Sequence, residues 1–109
     1  MKVYIAGPIT IDPDNWERHF ADAEQFLREK YPYAEIVNPL ILDQEPECIE
    51  ARADLGDGEE LWRFFLKRDL RELLNCTHIY CLKGWENSKG SRLELRTAVD
   101  VGIIPMFEV

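Results

Sequence analysis

The chain of 109 residues has few of the residue types that mark metal, disulfide or redox chemistry. It holds three cysteines, Cys48, Cys76 and Cys81, with no Cys-x-x-Cys spacing. Its two histidines, His19 and His78, adjoin neither a cysteine nor each other. An odd number of scattered thiols is typical of a reducing compartment, where cysteines serve as small buried apolar side chains. We therefore expect no metal site and no cofactor.

Positive charge is also scarce. The chain has 13 lysines and arginines against 21 aspartates and glutamates, which gives a net charge of −8. Proteins that bind nucleic-acid polymers carry basic patches, so this balance argues against such a partner. A small anionic ligand needs only one local positive site and remains compatible with it. No apolar stretch is long enough to span a bilayer, and no signal-peptide pattern follows Met1-Lys2, so we expect a cytoplasmic protein without membrane association.

What the chain does contain is a regular alternation of strand and helix patterns. Its length and its 46% hydrophobic and 31% charged residues fit one globular domain over 1–109. Apolar runs predict four strands, at 2–6, 34–37, 78–82 and 103–107. Helical periodicity predicts three long helices: one capped by Asp14 with Glu17 completing a capping box and ended by Pro32, then 60–74 and 89–101. Residues 40–59 show no clear period and are interpreted as a mobile loop or lid with room for a helical turn, or as a merely solvated insertion.

Strands that alternate with helices predict an α/β fold, a parallel sheet with helices on both faces. Ligands of such sheets bind beyond the carboxyl ends of the strands. The loops at that edge are residues 7–10, 38–40 and 84–90.

Glu94 is the most unusual residue of the last helix. Residues four apart mark the solvent face of that helix: Arg92, Arg96 and Asp100. At ~100° per residue, Glu94 lies about 200° away from its two arginine neighbours and shares the inner face with Ala98 and Val101. Desolvating a lone carboxylate costs free energy or raises its pKa, so an inward glutamate is a candidate functional group.

Asp69 repeats this anomaly on the preceding helix. It falls within an apolar stripe, and the opposite face is cationic: Trp62, Phe65, Leu66 and Leu73 on the stripe, and Arg63, Lys67 and Arg71 opposite. A cap, or a buried partner for Arg68, would also explain one inward carboxylate. Two of them on helices that flank one strand favour a site, because cleavage of a glycosidic bond requires a pair of carboxyl groups.

Ser88 and Gly90 precede Glu94 and suggest an anion site at the start of its helix. Serine is a preferred N-cap, glycine lets a ligand approach the backbone, and free N–H groups at a helix start attract phosphate. A plain helix cap is the alternative. Among neighbouring residues, Tyr4 would hydrogen-bond a carboxylate or serve only the core, and Trp85 would stack on a base or only pack. Lys83 and Lys89 supply positive potential or are ordinary surface residues.

Together these residues resemble the nucleoside 2-deoxyribosyltransferase-like superfamily, in particular its short phage and bacterial branch of unknown function. Four segments over essentially the whole chain carry the resemblance: Tyr4-Ile5-Ala6-Gly7-Pro8-Ile9-Thr10, Val37-Asn38-Pro39, Arg68-Asp69-Leu70, and Gly84-Trp85-Glu86-x-Ser88-x-Gly90-x-x-x-Glu94. The resemblance implies a flavodoxin-like three-layer sandwich with four parallel strands in the order 2-1-3-4, to which relatives often add a fifth. It also implies a homo-oligomer with sites at subunit interfaces.

The resemblance assigns roles to the motif residues. Glu94 matches the nucleophile that attacks C1′ of the sugar, Asp69 the group that handles the base or a sugar hydroxyl, and Tyr4 the group that orients the nucleophile. Relatives with serine at the position of Ser88 bind a 5′-phosphate, so the implied substrate is a nucleoside 5′-monophosphate, as in the N-glycosidases that act on such nucleotides. The remaining implied substrate contacts come from the three loops: Gly7, Pro8, Ile9, Asn38, Trp85 and Gly90.

Two departures from the family pattern leave other functions open. Cys76-Thr77 stands where relatives have an aspartate, and Thr10 stands where the nucleotide hydrolases present an arginine. A non-catalytic nucleotide-binding or nucleotide-sensing module of the same fold is one alternative. A small interaction protein that keeps only the fold is another.

Overall fold

A computed structural model describes residues 1–8, 15–42, 45–56 and 58–109, with the backbone alone at 41 and 42. Four strands alternate with five α-helices and one short 3-10 helix over these ranges. In chain order they are β1 (Lys2–Ala6), α1 (Trp16–Lys30), β2 (Glu35–Val37), α2 (Pro39–Leu42), α3 (Pro46–Leu55), α4 (Glu59–Leu74), β3 (His78–Cys81), the 3-10 helix Trp85–Asn87, α5 (Lys89–Asp100) and β4 (Ile104–Phe107).

The sheet is fully parallel, in the order β2-β1-β3-β4, which confirms the predicted fold class and strand order. Side chains of β1 alternate between its two faces, as the period of a strand requires. Tyr4 and Ala6 join a core layer with residues of α4 and α5, including Leu73 and Ala98. Val3 and Ile5 join the opposite layer, packed on α1. The two layers of helices bury both faces of the central strands, which accounts for their nearly continuous apolar sequence.

The segment at 40–59 differs from its interpretation as a loop. It contains the helix α3, which begins at Pro46 and packs on α4. Pro46 suits this position because the first helical N–H groups have no partner within the helix. Only Cys48 and Ala51 of α3 are buried. So narrow an apolar face leaves no recognisable period in the sequence.

Two smaller expectations also change. Val101 is 57% exposed rather than inward, because α5 ends at Asp100 and Val101 lies at the turn beyond it. Asp14 lies outside the described residues, and the N-cap of α1 is Asn15. All three cysteines are buried, as predicted. Across the described ranges no helix has both the length and the apolarity that a bilayer span demands.

Candidate active site

A cavity of about 490 Å³ lies beyond the carboxyl end of β1, between α4, α3 and the start of α5. Gly7 follows β1 directly and forms part of its wall. A side chain could not be accommodated there, because a Cβ at Gly7 would lie 2.8–3.0 Å from the side chain of Leu82. The close approach of the chain segments that follow β1 and β3 therefore requires glycine and shapes this edge of the sheet.

Glu94 lies in this cavity, with only 7% of its surface exposed. It lies on the face of α5 opposite the exposed arginines, so its side chain is directed toward the sheet. There it meets Tyr4 of β1, whose side chain is 1% exposed. The Tyr4 hydroxyl donates a hydrogen bond to Glu94 Oε2. The predicted contact between the phenol of the first strand and the inward glutamate is thus present.

Burial controls the protonation of this pair. The pKa of Glu94 is raised to about 8: desolvation by burial raises it most, the Tyr4 hydrogen bond lowers it, and the negative charge of Asp69 raises it. Burial likewise raises the pKa of Tyr4, and the charges of Glu94 and Asp69 raise it further. Tyr4 therefore stays protonated, and remains a hydrogen-bond donor, over the pH range in which Glu94 ionises.

Asp69 reaches the same cavity from α4 and is half-buried. Asp69 and Glu94 thus line one cavity, and the negative charge of Asp69 raises the pKa of both Glu94 and Tyr4. The neighbouring Arg68 has a different environment. It is buried and forms ion pairs with Glu45 at 2.7 Å and Glu47 at 3.1 Å.

The mouth of the cavity includes the start of α5. Ser88 is the N-cap of this helix, and its Oγ accepts a hydrogen bond from the backbone N–H of Ser91 at 3.2 Å. Ser88 thus acts as a helix cap and also lines the cavity. A Cβ at Gly90 would meet no atom of the described residues within 4 Å, so open space adjoins this turn.

The comparison with protein families matches residues 1–107 to a family described as "Domain of unknown function (DUF4406)". The chain belongs to this family. A search of curated proteins finds no match. Among solved structures, the chain is similar to a 2-deoxyribosyltransferase from the psychrotolerant bacterium Bacillus psychrosaccharolyticus, with a TM-score of 0.70 and 21% identity, over 98% of this chain and 71% of that one. This likeness confirms the predicted fold.

Several residues expected at the site of this DUF4406 domain lie elsewhere or have structural roles. Trp85 is not among the described residues that line the cavity. It packs against Phe107, with ring centroids 5.9 Å apart, which favours the packing interpretation. Asn38 is also outside the described lining. Its side chain donates to Glu24 and accepts from the backbone N–H of Leu40, so it fixes the turn after β2.

The loop after β1 gives a mixed outcome. Gly7 lines the cavity, whereas Pro8 does not belong to its described lining. Pro8 instead lies beside Gly84, where an added Cβ would come within 3.2 Å of the proline ring. Ile9 and Thr10 lie outside the described residues.

The structure adds residues that sequence reasoning did not assign to the site. Trp62 and Phe65 were placed on the apolar stripe of their helix, and the structure shows that they form a wall of the cavity. Their position on one stripe with Asp69 was the available signal, since residues beside an inward carboxylate share its surroundings. Arg52 of α3 also lines the cavity, and its segment offered no signal. Within the described part of the chain, no group of three or more histidine, cysteine or acidic side chains is arranged to hold a metal ion.

Proposed function

We propose that this chain cleaves the N-glycosidic bond of a nucleoside or deoxynucleoside 5′-monophosphate, with water or a second base as acceptor. The observation that carries the proposal is a buried Glu94, hydrogen-bonded to Tyr4 in a cavity that it shares with Asp69. Burying a carboxyl group beside another negative charge costs stability, so a chain retains the pair where chemistry needs it. The fold shared with a protein described as a 2-deoxyribosyltransferase agrees with a nucleoside substrate.

In the proposed reaction, Oε1 of ionised Glu94 attacks C1′ of the sugar. The C1′–N bond breaks, and the base departs with the bonding pair and takes up a proton that Asp69 relays from solvent. Water or a second base then attacks C1′ and loses a proton to Asp69, which returns it to solvent, while the C1′–O bond to Glu94 breaks and leaves Glu94 as a carboxylate. Splitting the displacement into two steps through a covalent glycosyl-enzyme is the strategy of retaining glycosidases.

The protonation state of Glu94 gives this proposal a testable pH dependence. Only the ionised carboxylate can attack, and the pKa of Glu94 is about 8 in the folded chain. Base release should therefore rise with pH through about 8. If Glu94 instead donated a proton to the leaving base, release would fall over the same range, because the protonated form would be the active one.

The experiment incubates the protein with a panel of nucleoside and deoxynucleoside 5′-monophosphates and measures free base by chromatography. Glu94→Gln keeps the size and a hydrogen-bond acceptor for Tyr4 but should lose at least ~10³-fold in release, as expected when a nucleophile is removed. Glu86→Gln, at an exposed position, is the matched control. Undiminished release by Glu94→Gln would exclude the proposed nucleophile.

Tyr4→Phe provides a second arm of the same experiment. Because the Tyr4 hydrogen bond lowers the pKa of Glu94, its loss should move the rising limb of the pH profile to higher pH. At a pH well above the pKa of Glu94, where this residue is fully ionised, base release should recover toward that of the unmodified chain. A profile that drops in height without moving would contradict this role for Tyr4.

One observation favours the non-catalytic alternative. With a pKa of about 8, most Glu94 is protonated at neutral pH, and a protonated carboxyl group donates a hydrogen bond to a ligand rather than attacking it. A nucleotide-binding module predicts saturable binding by calorimetry with no free base over long incubation. Base release that depends on Glu94 would rule it out.

A further inference from the structure

The acidic and basic residues that line the cavity differ in how deeply they are buried. Among its described lining residues, four carry charge: Glu94 is buried and Asp69 half-buried, whereas Arg52 and Lys89 are exposed. Negative groups therefore lie inside the cavity and positive groups lie at its mouth. In a chain with a net charge of −8, this arrangement creates a local positive site where an anionic ligand would enter.

Each of the two cations lies over an aromatic ring of the cavity wall. The guanidinium carbon of Arg52 is 5.0 Å from the ring centroid of Phe65, and Lys89 Nζ is 4.9 Å from the ring of Trp62. Trp62 and Phe65 lie three residues apart on α4, on neighbouring turns of one face. Cation–π contacts limit the freedom of long side chains, so less entropy is lost when a ligand binds them.

Ion pairs of the buried Arg68 anchor the helix that carries Arg52. Arg68, 3% exposed, contacts Glu45 and Glu47 at the start of α3, and its Nη1 lies 3.3 Å from the Sγ of fully buried Cys48. Arg52 follows Cys48 by four residues, about one helical turn. The contact with α4 therefore holds α3 in a position from which Arg52 reaches the cavity.

We infer that Arg52 and Lys89 bind the phosphate of the nucleotide, an assignment that rests on the proposed function and specifies its substrate. The negative charge of Asp69, joined by that of Glu94 once it ionises, repels a phosphate, so the anionic end of the ligand faces the mouth and the sugar faces Glu94. Guanidinium and ammonium groups form short charge-assisted hydrogen bonds to phosphate oxygens. The Ser88 hydroxyl, which accepts from Ser91, is a further donor at the same mouth, beside the open space at Gly90.

The test compares a deoxynucleoside 5′-monophosphate with the matching deoxynucleoside, by calorimetric affinity and by base release. The unmodified chain should prefer the monophosphate, and rising salt should weaken that preference. Arg52→Gln and Lys89→Gln should each reduce the preference about tenfold while leaving the deoxynucleoside nearly unaffected. Both positions are exposed, and unfolding midpoints verify that the variants fold.

Matched controls remove one positive charge at residues that do not line the cavity. Arg96→Gln on the exposed face of α5 and Lys67→Gln on the exposed face of α4 should leave the preference unchanged. A preference that survives in both Arg52→Gln and Lys89→Gln would overturn the inference, as would equal affinity of the unmodified chain for the two ligands.

The outcomes also separate this inference from the proposed function. Base release from the deoxynucleoside without any preference for the monophosphate would overturn the phosphate site alone. Binding of the monophosphate that depends on Arg52, without base release, would support the phosphate site and overturn cleavage. Failure of both ligands to bind or react would overturn both.

Discussion

The buried side chain of Glu94 lowers the stability of the fold and is also the proposed nucleophile. Its pKa rises from an ordinary value of 4.5 to about 8 in the folded chain, chiefly because of burial. Between these values the folded state holds a proton that the unfolded state has released. The unfolded state binds fewer protons there, so the free energy of unfolding falls as pH rises from about 4.5 to about 8.

Glu94→Gln removes this titration and should therefore flatten the dependence of stability on pH. We expect the variant to equal the unmodified chain below pH 4.5 and to exceed it at pH 8 by on the order of 2–4 kcal/mol. Urea unfolding at both pH values measures the difference, with Glu86→Gln as an exposed control. A variant no more stable at pH 8 than the unmodified chain would show that burial of Glu94 is not costly.

That gain in stability does not by itself indicate catalysis, because a protein that keeps only the fold would show it as well. Stabilisation together with loss of base release identifies a residue retained for its chemistry. Stabilisation without any effect on a ligand would favour the interaction-protein alternative.

At the scale of elements, α3 depends on α4 more than on its own sequence. It buries only Cys48 and Ala51, so its apolar face contributes little, and the ion pairs of Arg68 supply the remaining attachment. Arg68 is buried, whereas the side chains of Glu45 and Glu47 are 47% and 54% exposed and would regain water if the arginine were removed.

Arg68→Met should consequently loosen α3 and leave the sheet intact. We expect a loss of about 1–3 kcal/mol in the free energy of unfolding, and faster amide hydrogen exchange at 46–55 than in β1 or β3. Arg63→Met is the control, since Arg63 pairs with Glu59 on an exposed face and should change stability by less than about 0.5 kcal/mol. Unchanged exchange at 46–55 would mean that Arg68 does not anchor α3.

The width of each element's apolar face explains which elements could be predicted from the sequence. The four strands and three long helices follow from periods of two and 3.6 residues, because wide apolar faces leave a regular pattern. Helix α3 could not be predicted, since two buried small side chains in ten residues leave no period. Arg52 was missed with it. The resemblance implied a substrate contact for Trp85, which packs on Phe107; an aromatic residue beside a glycine has the same sequence pattern whether it packs or binds.

At the scale of the whole molecule, self-association stays a prediction. Four apolar side chains between the end of α5 and the edge strand β4 are each at least half exposed: Val99, Val101, Ile104 and Phe107. An edge strand with apolar side chains favours pairing with another chain. We expect sedimentation velocity to give the mass of a dimer or larger assembly at micromolar concentration.

Ile104→Lys should weaken this assembly, because it places a charge in the apolar region. Tyr33→Lys, at a residue 79% exposed near the opposite edge strand, should not. A monomer mass for the unmodified chain across the concentration range would contradict the prediction.

The sequence by itself determined the parallel sheet, its three long helices and the inward orientation of Glu94 and Asp69. Each of these depends on the local period of a helix or strand, which neighbouring residues specify. Only the tertiary structure decided that Tyr4 meets Glu94, that Trp62 and Phe65 form a cavity wall, and that Arg52 lies at its mouth. Such contacts join residues far apart in the chain, and their geometry depends on how elements pack, which no local pattern specifies.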